Sequence, residues 1–215
     1  MDPFPDLIRY PGLIYEVLIT TKNVKKLENE DLPYNIAPMG ITFKNKDDFV
    51  IKPYKTSRTY ENLQKNDYLG ISFSSDASLF YKCLYEKDKF VKEDFEIASK
   101  SGTPILKSEI YNSIQIRMIA RKLREIPTSG DRAQFKCELD TMLSSKKEFE
   151  PVCRANNLAL EAIVHSTRIP FLKDYKKKED LKELINQYDE FIKKTAKNSI
   201  FEEIMEKLKV KIKEF

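Results

Sequence analysis

The chain has 215 residues, 41% of them apolar and 33% charged, with a net charge of only +4. That supports a real hydrophobic core and gives too little excess positive charge for the footprint of a nucleic-acid binder. No run of about eighteen apolar residues exists to span a bilayer, and the acidic, proline-broken start Met1-Asp2-Pro3-Phe4-Pro5-Asp6 resembles no signal peptide.

Leu13-Ile14-Tyr15-Glu16-Val17-Leu18-Ile19-Thr20-Thr21 is rich in β-branched and aromatic residues and reads as a strand. The charged, patternless segment from Lys22 to Pro33 reads as a loop. Asn35 to Phe43 forms the second strand, Lys44 to Asp48 a polar turn, and Phe49 to Tyr54 a third strand. Arg58 to Lys65 reads as a short helix and Tyr68 to Ser74 as another strand. Asp76 is suited to cap a helix over Ala77 to Glu86, with Leu79, Phe80, Cys83 and Leu84 on its apolar face.

Phe90 to Ile97 is expected to be extended. Ile110 to Ile126 alternates as a long strand, with Gln134 to Leu139 as its hairpin partner after Gly130-Asp131. Residues 1–140 therefore predict a mostly antiparallel sheet with two short helices, closed or split as a barrel. The pattern changes after Asp140, so residues 141–215 are assigned to a C-terminal helical appendage. Pro151 suits a helix start, and apolar spacing predicts helices up to Arg168, across Leu181 to Ile192, and across Ile200 to Leu208, the last capped by Asn198 or Ser199. From Lys173 to Phe215, twelve lysines face ten acids, which is a solvated helical surface rather than a basic arm.

Cys83, Cys137 and Cys153 are odd in number and fit no metal spacing, which points to reduced thiols in a cytoplasmic protein. No metal site is expected. With one histidine, His165, in a helical pattern, triads and His-based metal sites have little to build on. Five unclustered glycines exclude a Walker-type loop and a dinucleotide fingerprint. Lys55, Thr56, Ser57, Arg58 and Thr59 crowd cations and hydroxyls into one turn at a helix start, where backbone N–H groups favour a phosphate. An ordinary hydroxyl-capped helix with exposed basic residues explains the same spacing. The proline in Asn35-Ile36-Ala37-Pro38-Met39-Gly40 marks a strand edge or bulge, which could present backbone to a planar heterocycle.

Taken in order, Asn35-x-Ala37-Pro38-Met39-Gly40, Ser57-x-Thr59-Tyr60-x-Asn62-Leu63 and Ser74-x-Asp76-x-x-x-Phe80 resemble the uncharacterised archaeal family of FMN-binding split-barrel proteins. That family lies within the flavin reductase-like and pyridoxamine-phosphate-oxidase-like group. Arg154-Ala155, Glu161-Ala162 and Thr167-Arg168 are similar to the family's helix after the barrel, so the resemblance runs from about Tyr15 to Arg168. Two positions depart from the pattern: Ser72 and Cys153 stand where it tends to have asparagine.

The resemblance implies an α+β fold, an antiparallel split β-barrel with a helical appendage, binding FMN near a homodimer interface. Asn35, Ala37, Pro38 and Met39 would lie along the isoalloxazine ring. Ser57, Arg58 and Thr59 would hold the phosphate, with Lys55 and Thr56 as additions and Asn62 bracing the helix. Ser72, Arg154 and Arg168 complete the implied cofactor set, a structural ion pair with Glu161 being the alternative for one of the arginines. The implied activity is that of an FMN-dependent oxidoreductase resembling NAD(P)H:flavin reductases, with no catalytic residue assigned and no membrane or nucleic-acid partner. A non-catalytic flavin carrier and a helical interaction protein are the competing readings.

Overall fold

The computed structural model describes residues 10–25, 32–45, 47–145 and 151–213. They fall into two compact units, one centred on Tyr15–Val152 and one on Cys153–Phe215 with Gly12–Ile14.

The first unit is a barrel of six strands in the ring order β1-β2-β3-β8-β7-β4. They are β1 (Ile14–Lys22), β2 (Tyr34–Phe43), β3 (Asp48–Ile51), β4 (Tyr68–Ser74), β7 (Ile114–Ile126) and β8 (Gln134–Ser145). A hairpin of β5 (Phe95–Ile97) and β6 (Pro104–Leu106) stands apart as a second sheet. Antiparallel pairing of Leu18, Ile19 and Thr20 with Ser72, Ile71 and Gly70 brings β4 back onto β1.

Strand alternation sorts the side chains into two apolar layers. Phe43 is the centre of the inner one, with ring centroids 5.4 Å from Phe49, 6.2 Å from Tyr15 and 6.5 Å from Phe73. The outer layer joins Leu18 and Ile36 to Leu79, Cys83, Phe90, Phe95, Leu106 and Ile114. Its cover is helix α2 (Ala77–Tyr85) and the β5–β6 hairpin. Strands buried on both faces follow from this double layer, which explains the continuous burial of Leu69 to Ser74.

Helix α1 (Arg58–Lys65) lies across the ends of β1 and β2. Asn62 braces it there, donating to Thr21 Oγ1 at 2.9 Å and Asn23 Oδ1 at 3.1 Å and accepting from Val24 N–H at 3.1 Å. Asp76 caps α2, its carboxylate accepting from the N–H groups of Ser78 and Leu79. Hydrogen bonding from Ser78, the largest influence, holds that carboxyl below its ordinary value.

The second unit is three helices, α3 (Arg154–Ser166), α4 (Tyr175–Thr195) and α5 (Ile200–Ile212), each packed on the other two. Ala155, Ala159 and Ala162 give α3 a buried stripe of small residues, Ile185 and Ile192 are buried on α4, and Phe201 and Met205 on α5. Asp189, with its side chain 2% exposed, ties α4 to α5 through Lys209 at 2.7 Å and pairs within α4 with Lys193 at 2.9 Å. His165 stacks on Tyr188, ring centroids 6.2 Å apart. No described helix is long and apolar enough to cross a membrane.

Several expected elements differ in detail. Phe90 to Ile97 is not extended throughout: Lys92–Asp94 is a 3-10 turn, closed by Asp94 Oδ2 accepting from Val91 N–H at 2.9 Å, and only Phe95–Ile97 is strand. The strand expected from Ile110 starts at Ile114, because Tyr111 and Ile114 close turns onto Lys107 and Tyr111. Pro151 precedes the helix rather than opening it; Cys153 is the N-cap of α3. Ser199 caps α5, while Asn198 adopts the left-handed φ of 59° in the turn before it. In the expected loop from Lys22 to Pro33, Lys22 ends β1 and residues 26–31 lie outside the described residues, as does Lys46 of the β2–β3 turn.

Candidate functional site

β2 changes character along its length. Ile41, Thr42 and Phe43 pair with Ile51, Val50 and Phe49 of β3, and this register does not reach the preceding half of the strand. Within that half, Ala37, Pro38, Met39 and Gly40 are all half-buried, interrupting the alternation. Pro38 lacks the N–H that a ladder would require, so the stretch is suited to stand as an edge.

Helix α1 starts beside this edge. Its contact is a buried hydrogen bond: Asn35 Nδ2 donates to Thr59 Oγ1 at 3.0 Å, with Asn35 3% and Thr59 2% exposed. The two segments singled out in the sequence therefore meet in space.

The remaining donors of the basic turn are used unequally. Ser57 is the N-cap: its Oγ accepts from Tyr60 N–H at 3.3 Å and donates to Tyr54 O at 2.7 Å. The hydroxyl-cap reading thus accounts for Ser57, whereas Thr59, two positions on, is turned towards β2. Lys55 points to the β7–β8 turn, with Nζ donating to Thr128 O at 3.1 Å and its own N–H to Asp131 O at 2.9 Å. Thr56 is exposed and Arg58 half-buried at the helix start. The first-turn N–H groups of α1 have no acceptor within the helix other than the cap, and the helix dipole adds positive potential there. The acid of that turn, Glu61, is paired with Lys25 at 2.6 Å.

Ser72 lies in the barrel wall, opposite Leu18 on β1 and Arg117 on β7. Its hydroxyl is buried and has no hydrogen-bond partner among the described residues. Arg117, 7% exposed, donates to Glu96 Oε1 at 2.7 Å. Arg154 and Arg168 belong to the helical unit. Arg154 lies over the Phe191 ring at 5.1 Å, and Arg168 follows α3 in the turn that leads to Ile169. Glu161 approaches His165 at 3.8 Å, an i,i+4 contact on α3.

One residue of this neighbourhood had no sequence signal. Lys87, in the 3-10 turn after α2, donates from Nζ to Asn35 Oδ1 at 3.4 Å. In sequence it sits in the run Lys87-Asp88-Lys89, which reads as solvated charge. A separate open cleft of about 380 Å³ is lined by Lys52, Tyr54, Thr128, Gly130 and Arg132 at the β7–β8 turn. Arg132 lies over the Tyr54 ring at 4.1 Å, and Lys55 borders the cleft through Thr128. Cys83, Cys137 and Cys153 are buried and form no disulfide among the described residues; burial pushes the Cys83 and Cys137 thiols up to about 12, which makes them poor nucleophiles.

The chain resembles known proteins in family and in fold. The N-terminal and C-terminal domain models of a protein of unknown function, DUF447, match residues 15–143 and 153–210. No curated protein matches the chain. Among solved structures, the FMN-bound protein from Methanosarcina mazei, described with the same family model, is 23% identical with a TM-score of 0.51, the match covering 94% of this chain and 96% of that one. At that identity the likeness is one of fold. A flavin reductase domain protein from Arthrobacter is 13% identical with a TM-score of 0.49, over 65% of this chain and 82% of that one. Flavoredoxin from Methanosarcina acetivorans is 14% identical with a TM-score of 0.47, over 69% and 78%.

Proposed function

We propose that this chain, which belongs to the DUF447 family of proteins of unknown function, is an FMN-binding protein of the split-barrel type and acts as a flavin-dependent oxidoreductase. The observation that carries the reading is the Asn35–Thr59 hydrogen bond, which joins the proline-broken edge of β2 to the start of α1. FMN is a flat heterocycle with a phosphate at the end of a flexible chain. A half-buried strand edge beside a basic helix N-terminus offers the two recognition elements such a molecule requires. The FMN bound to the Methanosarcina mazei protein, which shares this fold, supports the same assignment.

On this reading the Thr59 hydroxyl, the first-turn N–H groups and Arg58 hold the phosphate, with Thr56 at the mouth. The half-buried stretch of β2 from Ala37 to Gly40 presents backbone groups to the ring. Ser57 shapes the turn as its cap, and Ser72, whose buried hydroxyl has no partner among the described residues, is a further polar group for the flavin. Bound FMN supplies hydride and electron transfer, so the protein's own tasks are to bind, orient and tune it. A nicotinamide nucleotide is the proposed electron donor, the flavin site is placed near a homodimer interface, and the compartment is the cytoplasm.

Reduction experiments separate an enzyme from a carrier. The FMN-loaded protein, mixed anaerobically with NADH or NADPH, is expected to lose its absorbance near the blue edge of the visible range and to regain it in air. FMN that binds but is reduced by neither nucleotide would make this chain a non-catalytic flavin carrier.

A further inference from the structure

Lys87 extends the Asn35–Thr59 pair into a chain of three polar groups with a fixed direction. Its ammonium has only hydrogens to give, so the group facing it on Asn35 must be the oxygen, Oδ1, at 3.4 Å. The amide nitrogen then faces Thr59 Oγ1 at 3.0 Å and donates to it. A hydroxyl that accepts this bond keeps its own hydrogen for another acceptor. Among the described residues, no hydrogen bond uses that hydrogen. It sits two positions after the N-cap, at the positive end of α1.

We propose that Lys87 is a positioning residue for anion recognition: through Asn35 it keeps the Thr59 hydroxyl as a hydrogen donor towards the phosphate of the bound ligand. The inference rests on the flavin-binding reading above and adds to it a determinant of selectivity for phosphorylated over unphosphorylated flavin. Without the ammonium, no other hydrogen bond among the described residues holds Asn35 Oδ1 in place, and the amide is free to rotate by half a turn. Oδ1 would then accept the Thr59 hydrogen, and the hydroxyl would present lone pairs to the phosphate. Lys87 is exposed, so its replacement leaves the barrel core intact.

The test is a pair of fluorescence-quenching titrations, with FMN and with riboflavin, on wild type, K87M, K87R, T59V and the double variant K87M/T59V. K87M is expected to weaken FMN binding about fivefold, the scale of one charge-assisted hydrogen bond partly open to solvent, and to leave riboflavin binding unchanged. K87R, which preserves the charge and donor, should recover most of the loss. In the T59V background K87M should have little further effect, because the two residues act along one path. Equal weakening of both flavins, no weakening of either, or full additivity with T59V would overturn the inference while leaving flavin binding in place. A wild-type protein that binds neither flavin would overturn the functional reading and this inference with it.

Discussion

At the scale of single residues, the same hydroxyl-rich turn serves two purposes. Ser57 spends both its hydrogen and its lone pair on the local turn, as an N-cap does, and Thr59 two positions later is drawn to β2 by Asn35. Spacing could not separate these roles, because cap and phosphate donor are the same residue types at the same place. Lys87 was illegible for a different reason: a lone lysine in a charged turn acquires meaning only when the fold brings it to Asn35. Asn35 itself is sensitive to chemistry rather than size. In N35D the carboxylate has no N–H for Thr59 and takes the Thr59 hydrogen instead, while adding negative charge beside the phosphate position. FMN affinity in N35D is expected to fall at least about tenfold, measured by equilibrium titration at neutral pH.

At the scale of elements, the boundaries of α1 and β4 were readable because their signals are local: a hydroxyl cap, a short apolar run, a turn on either side. The turn at Lys92–Asp94 was not, because its hydrophobic neighbours Phe90 and Phe95 are buried in the outer layer and mimic a strand. Gly70 marks how tightly that layer is applied. A Cβ there would sit 2.3 Å from Thr20 Oγ1 and 2.6 Å from the carbonyl of Pro104, and Thr20 also donates to that carbonyl. The backbone atom cannot swing aside, so G70A should cost about 2 kcal/mol by overpacking, read as a lowered urea midpoint. A G70A protein of wild-type stability would mean that the β5–β6 hairpin is not held against β4.

In the helical unit the corresponding element contact is ionic. Burial alone would raise the Asp189 carboxyl, but hydrogen bonds from Lys209 and Lys193 outweigh it and hold it below its ordinary value. A depressed folded pKa stabilises the protein above the unfolded value and loses that contribution as pH falls through the folded one. D189A should therefore cost about 2 kcal/mol at pH 7, with the gap to wild type constant down to about pH 5 and closing below about pH 4. Urea denaturation across that range reads the difference; a gap that widens on acidification would contradict the assigned sign.

At the scale of the whole molecule, the order of strands, two helices and a helical tail was visible in periodicity and composition, and the family in three short blocks of residues. The ring order of the barrel was not, since pairing between β3 and β8 or β4 and β1 joins segments far apart in sequence. That ring sets the half of β2 beyond its register with β3 beside the start of α1, and neither segment alone amounts to the proposed site. The most direct measurement is a titration of FMN into wild-type protein and T59V, followed by flavin fluorescence. The account predicts binding at micromolar or lower concentration for wild type and a loss of about tenfold or more in T59V. Equal affinity in the two proteins, or no binding of FMN to wild type, would contradict it.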